Sequence, residues 1–155
     1  MNIKCGECPG HMKETELKEF EAGALFGLKR VCLRHVSALV CDRCESLMLP
    51  GSVLEYVQET LATWIAQHVE DLNPASFRFL RKHFAMTQSD VADRLGVTRL
   101  TVNRWESGVI PIGRAESIAM RTFVLLPRLR RAASVSLRRA RIAEKAGSPQ
   151  IEATP

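Results

Sequence analysis

Long apolar runs are missing from this chain: none approaches the roughly 18 residues that a membrane-spanning helix needs. The opening Met1-Asn2-Ile3-Lys4-Cys5 begins no secretory signal, so the protein is expected to be cytoplasmic. Aromatic residues are also few, at 6% of 155 residues, and a small N-terminal domain built with so few buries little core. No Ser-His-Asp or Cys-His constellation is suggested, so the chain reads as a non-enzyme. No internal repeat is visible. What is present, 46% apolar and 25% charged residues, excludes a disordered tail or a collagenous repeat and suits one or two small globular domains.

Charge is distributed unevenly. Residues 1–72 carry 7 basic and 11 acidic side chains, residues 73–126 carry 8 and 4, and residues 127–155 carry 7 and 2. An acidic head is thus joined to a basic body and tail, and the basic end predicts contact with a polyanion.

In a reducing cytosol, paired cysteines read more readily as metal ligands than as disulfides. Cys5 and Cys8 form one Cys-x-x-Cys, and Cys41 and Cys44 form a second after 32 intervening residues. This is the pattern of a structural zinc site with one Zn2+ per chain, and four thiolates leave no coordination position open for catalysis. A metal staple also compensates for a thin core. His11 and His35 read as surface residues or as partners of the ligands, with replacement of a thiolate as the alternative, and Cys32 reads as a small apolar strand residue.

The expected fold class is α+β. Gly6, Gly10, Gly23 and Gly27 break residues 9–40 into short extended pieces, which predicts two or three antiparallel strands. From about Gly51 the apolar spacing turns helical through Leu54, Val57, Leu61, Trp64, Ile65, His68, Val69 and Leu72, ending near Asn73-Pro74. Asn73 and Pro74 then cap and start a second helix to about Phe84. Three helices follow at Gln88–Leu95, Arg99–Ser107 and Arg114–Leu126. A basic helix with Arg128, Arg130, Arg131, Arg138, Arg139 and Arg141 is expected from 127 to about 146, and residues 147–155 read as disordered. The domains are then 1–72 (zinc-binding), 73–126 (all-α) and 127–155 (basic extension and tail).

Residues 87–106 have the pattern of a helix-turn-helix. Thr87 caps the first helix and places Gln88 at its N-terminus, where a phosphate can be held. Ala92 is small where two helices cross, and Gly96 supplies a left-handed turn. Val91, Leu95, Val97, Val102 and Trp105 fall inward, and Thr98 caps the second helix. Arg99, Leu100, Thr101, Asn103 and Arg104 then point outward from the element that enters a major groove. Arg99 and Arg104 are the expected guanine readers, Thr101 and Asn103 secondary ones, with Leu100 against a thymine methyl. Arg94, Arg114 and Arg121 are expected to be solvated or loosely phosphate-facing.

Cys5-Gly6-Glu7-Cys8 with Cys41-Asp42-Arg43-Cys44-Glu45, followed by Met86-Thr87-Gln88 and Asn103-Arg104-Trp105-Glu106-Ser107-Gly108, resembles the MqsA (YgiT-type) antitoxins of bacterial type II toxin-antitoxin systems. Members combine a zinc-knuckle domain with a helix-turn-helix of the Xre type. The resemblance covers residues 1 to about 126. It implies zinc at the four knuckle cysteines, a head that masks a small ribonuclease toxin, and a C-terminal half that forms a homodimer and represses its own operon. It also implies a palindromic double-stranded operator and a base-reading role for Arg104. Leu100 departs from the polar residue expected there, so the operator sequence does not carry over, and the basic extension lies outside the family pattern. The alternative is a stand-alone zinc-containing helix-turn-helix transcription regulator without a toxin partner.

Overall fold

Apolar alternation along residues 31–38 breaks once, and the break shapes the sheet. Val31 and Leu33 are buried, and so are Val36 and Ala38, although a strict period of two would turn one of these pairs to solvent. His35 has a positive φ of 52°, which re-aims the strand between the two pairs. Both halves of β3 (Val31–Cys41) therefore face the core. The preceding strand β2 (His11–Glu21) answers with Leu17 and Phe20, three apart, packed on the same core. The two strands pair antiparallel from Met12 opposite Cys41 to Glu21 opposite Cys32.

The computed structural model of this α+β chain describes residues 3–126 and 150–153. Strand β1 (Ile3–Lys4) pairs with β2, and β4 (Leu47–Met48) lies along β3 at Leu39 and Val40. The hairpin strands have 11 residues each, longer than the glycine spacing suggests, because Gly10, Gly23 and Gly27 sit beyond their ends. A one-turn helix, α1 (Gly23–Phe26), closes the hairpin.

Residues 150–153 correct an expectation. They were expected within a disordered end, yet they form β5 (Gln150–Ala153), antiparallel to β3 at Val31–Arg34. β4 covers β3 only at Leu39 and Val40, which leaves the edge of residues 31–34 turned away from β2 as a template for another strand. The expected basic helix of residues 127–146 lies outside the described residues.

Five helices follow: α2 (Gly51–His68), α3 (Pro74–His83), α4 (Gln88–Leu95), α5 (Arg99–Glu106) and α6 (Arg114–Leu125). α2 stops at His68, although its apolar pattern continues to Leu72. Val69 and Leu72 are still buried, but in an extended connection whose Leu72 N–H donates to Ser117 Oγ at 3.2 Å. Asn73 Oδ1 then accepts from Ser76 N–H at 2.9 Å and starts α3. One apolar core runs from Val31 and Leu33 through Leu61 and Ile65 to Phe77, Val102 and Met120, so it passes residue 72 without a gap. Among the described residues no helix is long and apolar enough to cross a membrane.

Candidate metal centre and nucleic-acid interface

The four paired cysteines converge at one end of the sheet. Cys5 and Cys8 lie in the loop between β1 and β2, Cys41 ends β3, and Cys44 sits in the turn before β4. Three sulfurs accept a backbone N–H from two residues further on: Glu7 N–H to Cys5 Sγ at 3.4 Å, Gly10 N–H to Cys8 Sγ at 3.3 Å and Arg43 N–H to Cys41 Sγ at 3.4 Å. Cys5 Sγ lies 3.6 Å from Cys44 Sγ, Cys8 Sγ 3.5 Å from Cys41 Sγ, and all four sulfurs lie within 4.8 Å of one another. Four thiolates bound at about 2.3 Å to one tetrahedral ion stand roughly 3.8 Å apart, so the spacing fits a single structural metal ion.

Electrostatics point the same way. The N–H groups of Cys44 and Arg43 aimed at its sulfur bring the Cys41 thiol down to about 6. Ser46 N–H acts likewise on Cys44, but the neighbouring sulfurs of Cys8 and Cys41 push that thiol up to about 12. On Cys8 the Gly10 N–H and Cys44 lower the pKa, yet desolvation and the sulfurs of Cys41 and Cys5 leave it raised. The raised thiols of Cys8 and Cys44 are each opposed by neighbouring sulfurs, and a bound cation removes that opposition.

Close packing restricts the loop as well: a Cβ on Gly10 would stand 2.8 Å from Cys41 Sγ and 2.9 Å from Asp42 Oδ1. His11 N–H donates to Asp42 Oδ1 at 2.9 Å and, with Lys13 nearby, holds that carboxyl below its usual range. Neither His11 nor His35 joins the cluster among the described residues. His35 instead meets Glu16 at 3.1 Å on the exposed face of the hairpin. Cys32 is a half-buried residue of β3.

The second candidate site is built on α4 and α5. Thr87 Oγ1 accepts from Asp90 N–H at 3.1 Å while Asp90 Oδ2 accepts from Thr87 N–H at 2.7 Å, a reciprocal cap on α4 that keeps the Asp90 carboxyl below its usual range. Thr98 Oγ1 accepts from Thr101 N–H at 3.1 Å and caps α5. Val91, Ala92, Val102 and Trp105 are buried, and Leu95 and Val97 pack partly against the core. Thr87, Thr98, Arg99, Leu100, Asn103 and Arg104 are exposed.

At about 100° per residue around a helix, the buried Val102, Trp105 and Glu106 define one side of α5. Leu100 falls at the centre of the opposite side, with Asn103 and Arg104 flanking it. Leu100 is 57% exposed. Arg99 lies at one edge of this face. Thr101 lies at the other, half-buried, with its hydroxyl 2.9 Å from that of Thr98.

Gln88 is placed differently from the expectation of a phosphate ligand: its Nε2 donates to Glu106 Oε2 at 3.0 Å. Glu106 is the buried residue behind this face that sequence reasoning missed. Its side chain is 1% exposed, and Arg81 grips it through Nε to Oε1 and through a guanidinium nitrogen to Oε2 at 3.0 Å. Arg81 also donates to the Met86 carbonyl at 2.8 Å, and Arg78 to the Glu106 carbonyl at 3.1 Å. Burial alone raises the Glu106 pKa, but hydrogen bonds from Arg81 and Gln88 and the charges of Arg81 and Arg78 hold it below the usual range. The network fixes α3, the start of α4 and the end of α5 to one another. A signal was present in the sequence, because Glu106 follows Val102 by four residues and so falls on the inward side, where an acid needs a partner.

Of the arginines expected to be solvated, Arg94 is exposed and Arg121 half-buried. Arg121 donates to the carbonyls of Ala66 at 2.8 Å and Glu70 at 3.3 Å, satisfying acceptors that the end of α2 leaves open. Arg94 lies over the Phe123 ring at 5.8 Å. Between the two helices Gly96 adopts φ 67° with open space around it. Gly96→Ala is therefore expected to cost about 1 to 2 kcal/mol through backbone strain alone. Thermal unfolding checks this, and a change under 0.3 kcal/mol would show that the turn tolerates a side chain.

A helix-turn-helix family model matches residues 77–120, from within α3 to within α6. No curated protein matches the chain. The module is that of DNA-binding transcription regulators, proteins that in general are not enzymes. The chain thus carries the helix-turn-helix of a DNA-binding regulator behind a sheet whose end gathers four cysteines at metal-binding distance.

Proposed function

We propose that the protein is a dimeric, zinc-containing repressor that reads a palindromic operator with α5 and acts as the antitoxin of a small ribonuclease. The observation that carries the DNA reading is the exposed face of α5. Arg104 and Asn103 there contact base edges, and Leu100 sits against a thymine methyl. Arg99, at the edge of the face, is nearer a phosphate, and Thr87, Gln88 and Thr98 bring two helix N-termini towards the backbone. In a homodimer formed through the C-terminal half, two such helices meet half-sites about 10 base pairs apart, or a multiple of that.

Zinc at Cys5, Cys8, Cys41 and Cys44 is favoured by the all-thiolate donor set and the near-tetrahedral sulfur spacing. The antitoxin assignment rests on the resemblance of the two knuckles and the α4–α5 motif to the MqsA family. It is supported by the excess of acidic over basic side chains in residues 1–72, with Glu14 and Glu16 exposed on the hairpin beside Lys18 and Glu19 paired with Arg34 at 3.3 Å. Such an excess suits a basic, RNA-cleaving partner.

Arg104→Ala is expected to weaken operator binding by roughly 1 to 3 kcal/mol and binding to random DNA little. Arg99→Ala should weaken both alike and reduce the salt slope by about 1. Competition binding across a salt series measures both effects. An Arg104→Ala protein that loses operator and random DNA equally would show that α5 does not read sequence. For the partner, the full chain expressed with its genomic neighbours should copurify with a small basic ribonuclease. Purification without one leaves the stand-alone regulator.

A further inference from the structure

A cavity of about 370 Å³ opens where the α1–β3 connection, α2 and the first turn of α3 meet. Its walls are apolar, formed chiefly by Val31, Leu61, Trp64 and Ile65. Leu61 and Ile65 belong to the buried core, and the half-buried Trp64 is held by stacking on His68 at 5.2 Å and by the bond of its carbonyl to His68 Nδ1 at 3.0 Å. The polar lining is sparse, consisting of Lys29, Asn73 and Ser76. Lys29 is the one charged residue among the described lining, and it makes no ion pair with a described residue. Asn73 lines the same cavity. Its Oδ1 is engaged by Ser76 N–H, which leaves its amide nitrogen to donate elsewhere.

We propose that this cavity is a binding site for a small apolar carboxylate. The volume suits a ligand of one ring and a short chain, and a concave apolar pocket with a few placed polar groups is the usual form of such sites. The ring stacks beside Trp64 and lies over Leu61 and Ile65, and the carboxylate takes Lys29 Nζ and the Asn73 amide as donors. A neutral ligand forgoes the charge-assisted bond to Lys29, and a larger or strongly polar one leaves the walls unmatched. The site is separate from the cysteine cluster and from the exposed face of α5, so the proposal stands or falls without the antitoxin reading.

Calorimetric titration of the full-length protein with 4-phenylbutanoate, and with 4-phenylbutanamide as its neutral analogue, tests the site at constant pH. Saturable binding of the acid is expected, with amide shifts in NMR spectra at residues 64, 65 and 73. Lys29→Gln, an exposed position, should weaken the acid roughly fivefold to tenfold and leave the amide unchanged. Ala75→Phe, which fills the mouth from the first turn of α3, should weaken both at least tenfold while the helical circular dichroism is retained. No saturable binding at millimolar acid would overturn the proposal. So would acid binding unaffected by both substitutions, or a Lys29→Gln protein that loses acid and amide equally.

Discussion

Replacing Cys41 with serine, or stripping the metal with a chelator, is expected to unfold the cysteine end of the sheet and leave the helices standing. Met12 and Cys41 are buried at 8% and 2% exposure, but neither belongs to the apolar core that runs from β3 to α6. Around them β1 contributes only the pairs Ile3 with Met12 and Lys4 with His11, and β4 only two more. Without an ion this end is held by a few backbone bonds. Structural zinc contributes on the order of 10 kcal/mol in small domains folded around it, and that free energy is felt where the ligands are. Amide exchange should therefore lose protection at residues 3–14 and 39–48 and keep it at 57–66 and 77–120. A metal-free protein with unchanged exchange at residues 3–14 would remove the structural role of the metal. Loss of protection at both ends together would show that β3 and α2 transmit the damage through their shared core.

Glu106→Gln should cost about 3 to 5 kcal/mol of stability, because it leaves Arg81 buried without its countercharge and cuts the link to Gln88. In a chain of this size that amounts to a fall of roughly 10 °C or more in the melting temperature. The pH dependence follows from the lowered pKa of Glu106. A carboxylate whose folded pKa is depressed contributes stability above its unfolded value, near 4.3, and that contribution disappears as pH falls through the folded value. The gap between wild type and Glu106→Gln should thus be fully open at neutral pH and narrow below about pH 4. Arg81→Met combined with Glu106→Leu should recover part of the loss, since an apolar pair of similar volume removes the stranded charge. Chemical denaturation of the three proteins at two pH values provides the measurement. A loss under 1 kcal/mol for Glu106→Gln, equal at both pH values, would mean that water screens the network despite its burial. The same substitution should loosen the angle between α4 and α5 and so weaken operator binding, although Glu106 does not lie on the exposed face of α5.

Local chemistry by itself determined much of this protein. The two cysteine pairs marked the four sulfurs, because each Cys-x-x-Cys turn aims its own pair with its own backbone N–H groups, while the antiparallel pairing of β2 with β3 brings the two pairs together. Thr87, Thr98 and Gly96 fixed the starts of α4 and α5 and the turn between them, since caps and positive φ are properties of single residues and their immediate neighbours. The 3.6-residue period of Val91, Leu95, Val102 and Trp105 gave the inward side and, by difference, the exposed face of α5. Long-range geometry lay beyond such signals. Period-two reasoning fails along β3 because His35 changes the side that faces the core, and only the packing of both halves on the helices shows it. The helical apolar pattern ran on through Leu72, but the Ser117 hydroxyl takes the Leu72 N–H and turns the chain away after His68. The bond from Gln88 to Glu106 was not legible, because Arg81, Gln88 and Glu106 come from three helices that meet only in the folded chain. The same holds for Arg121 on the end of α2 and for β5 on the edge of β3: each satisfies backbone groups that a distant segment leaves open, a debt no local window of sequence can display.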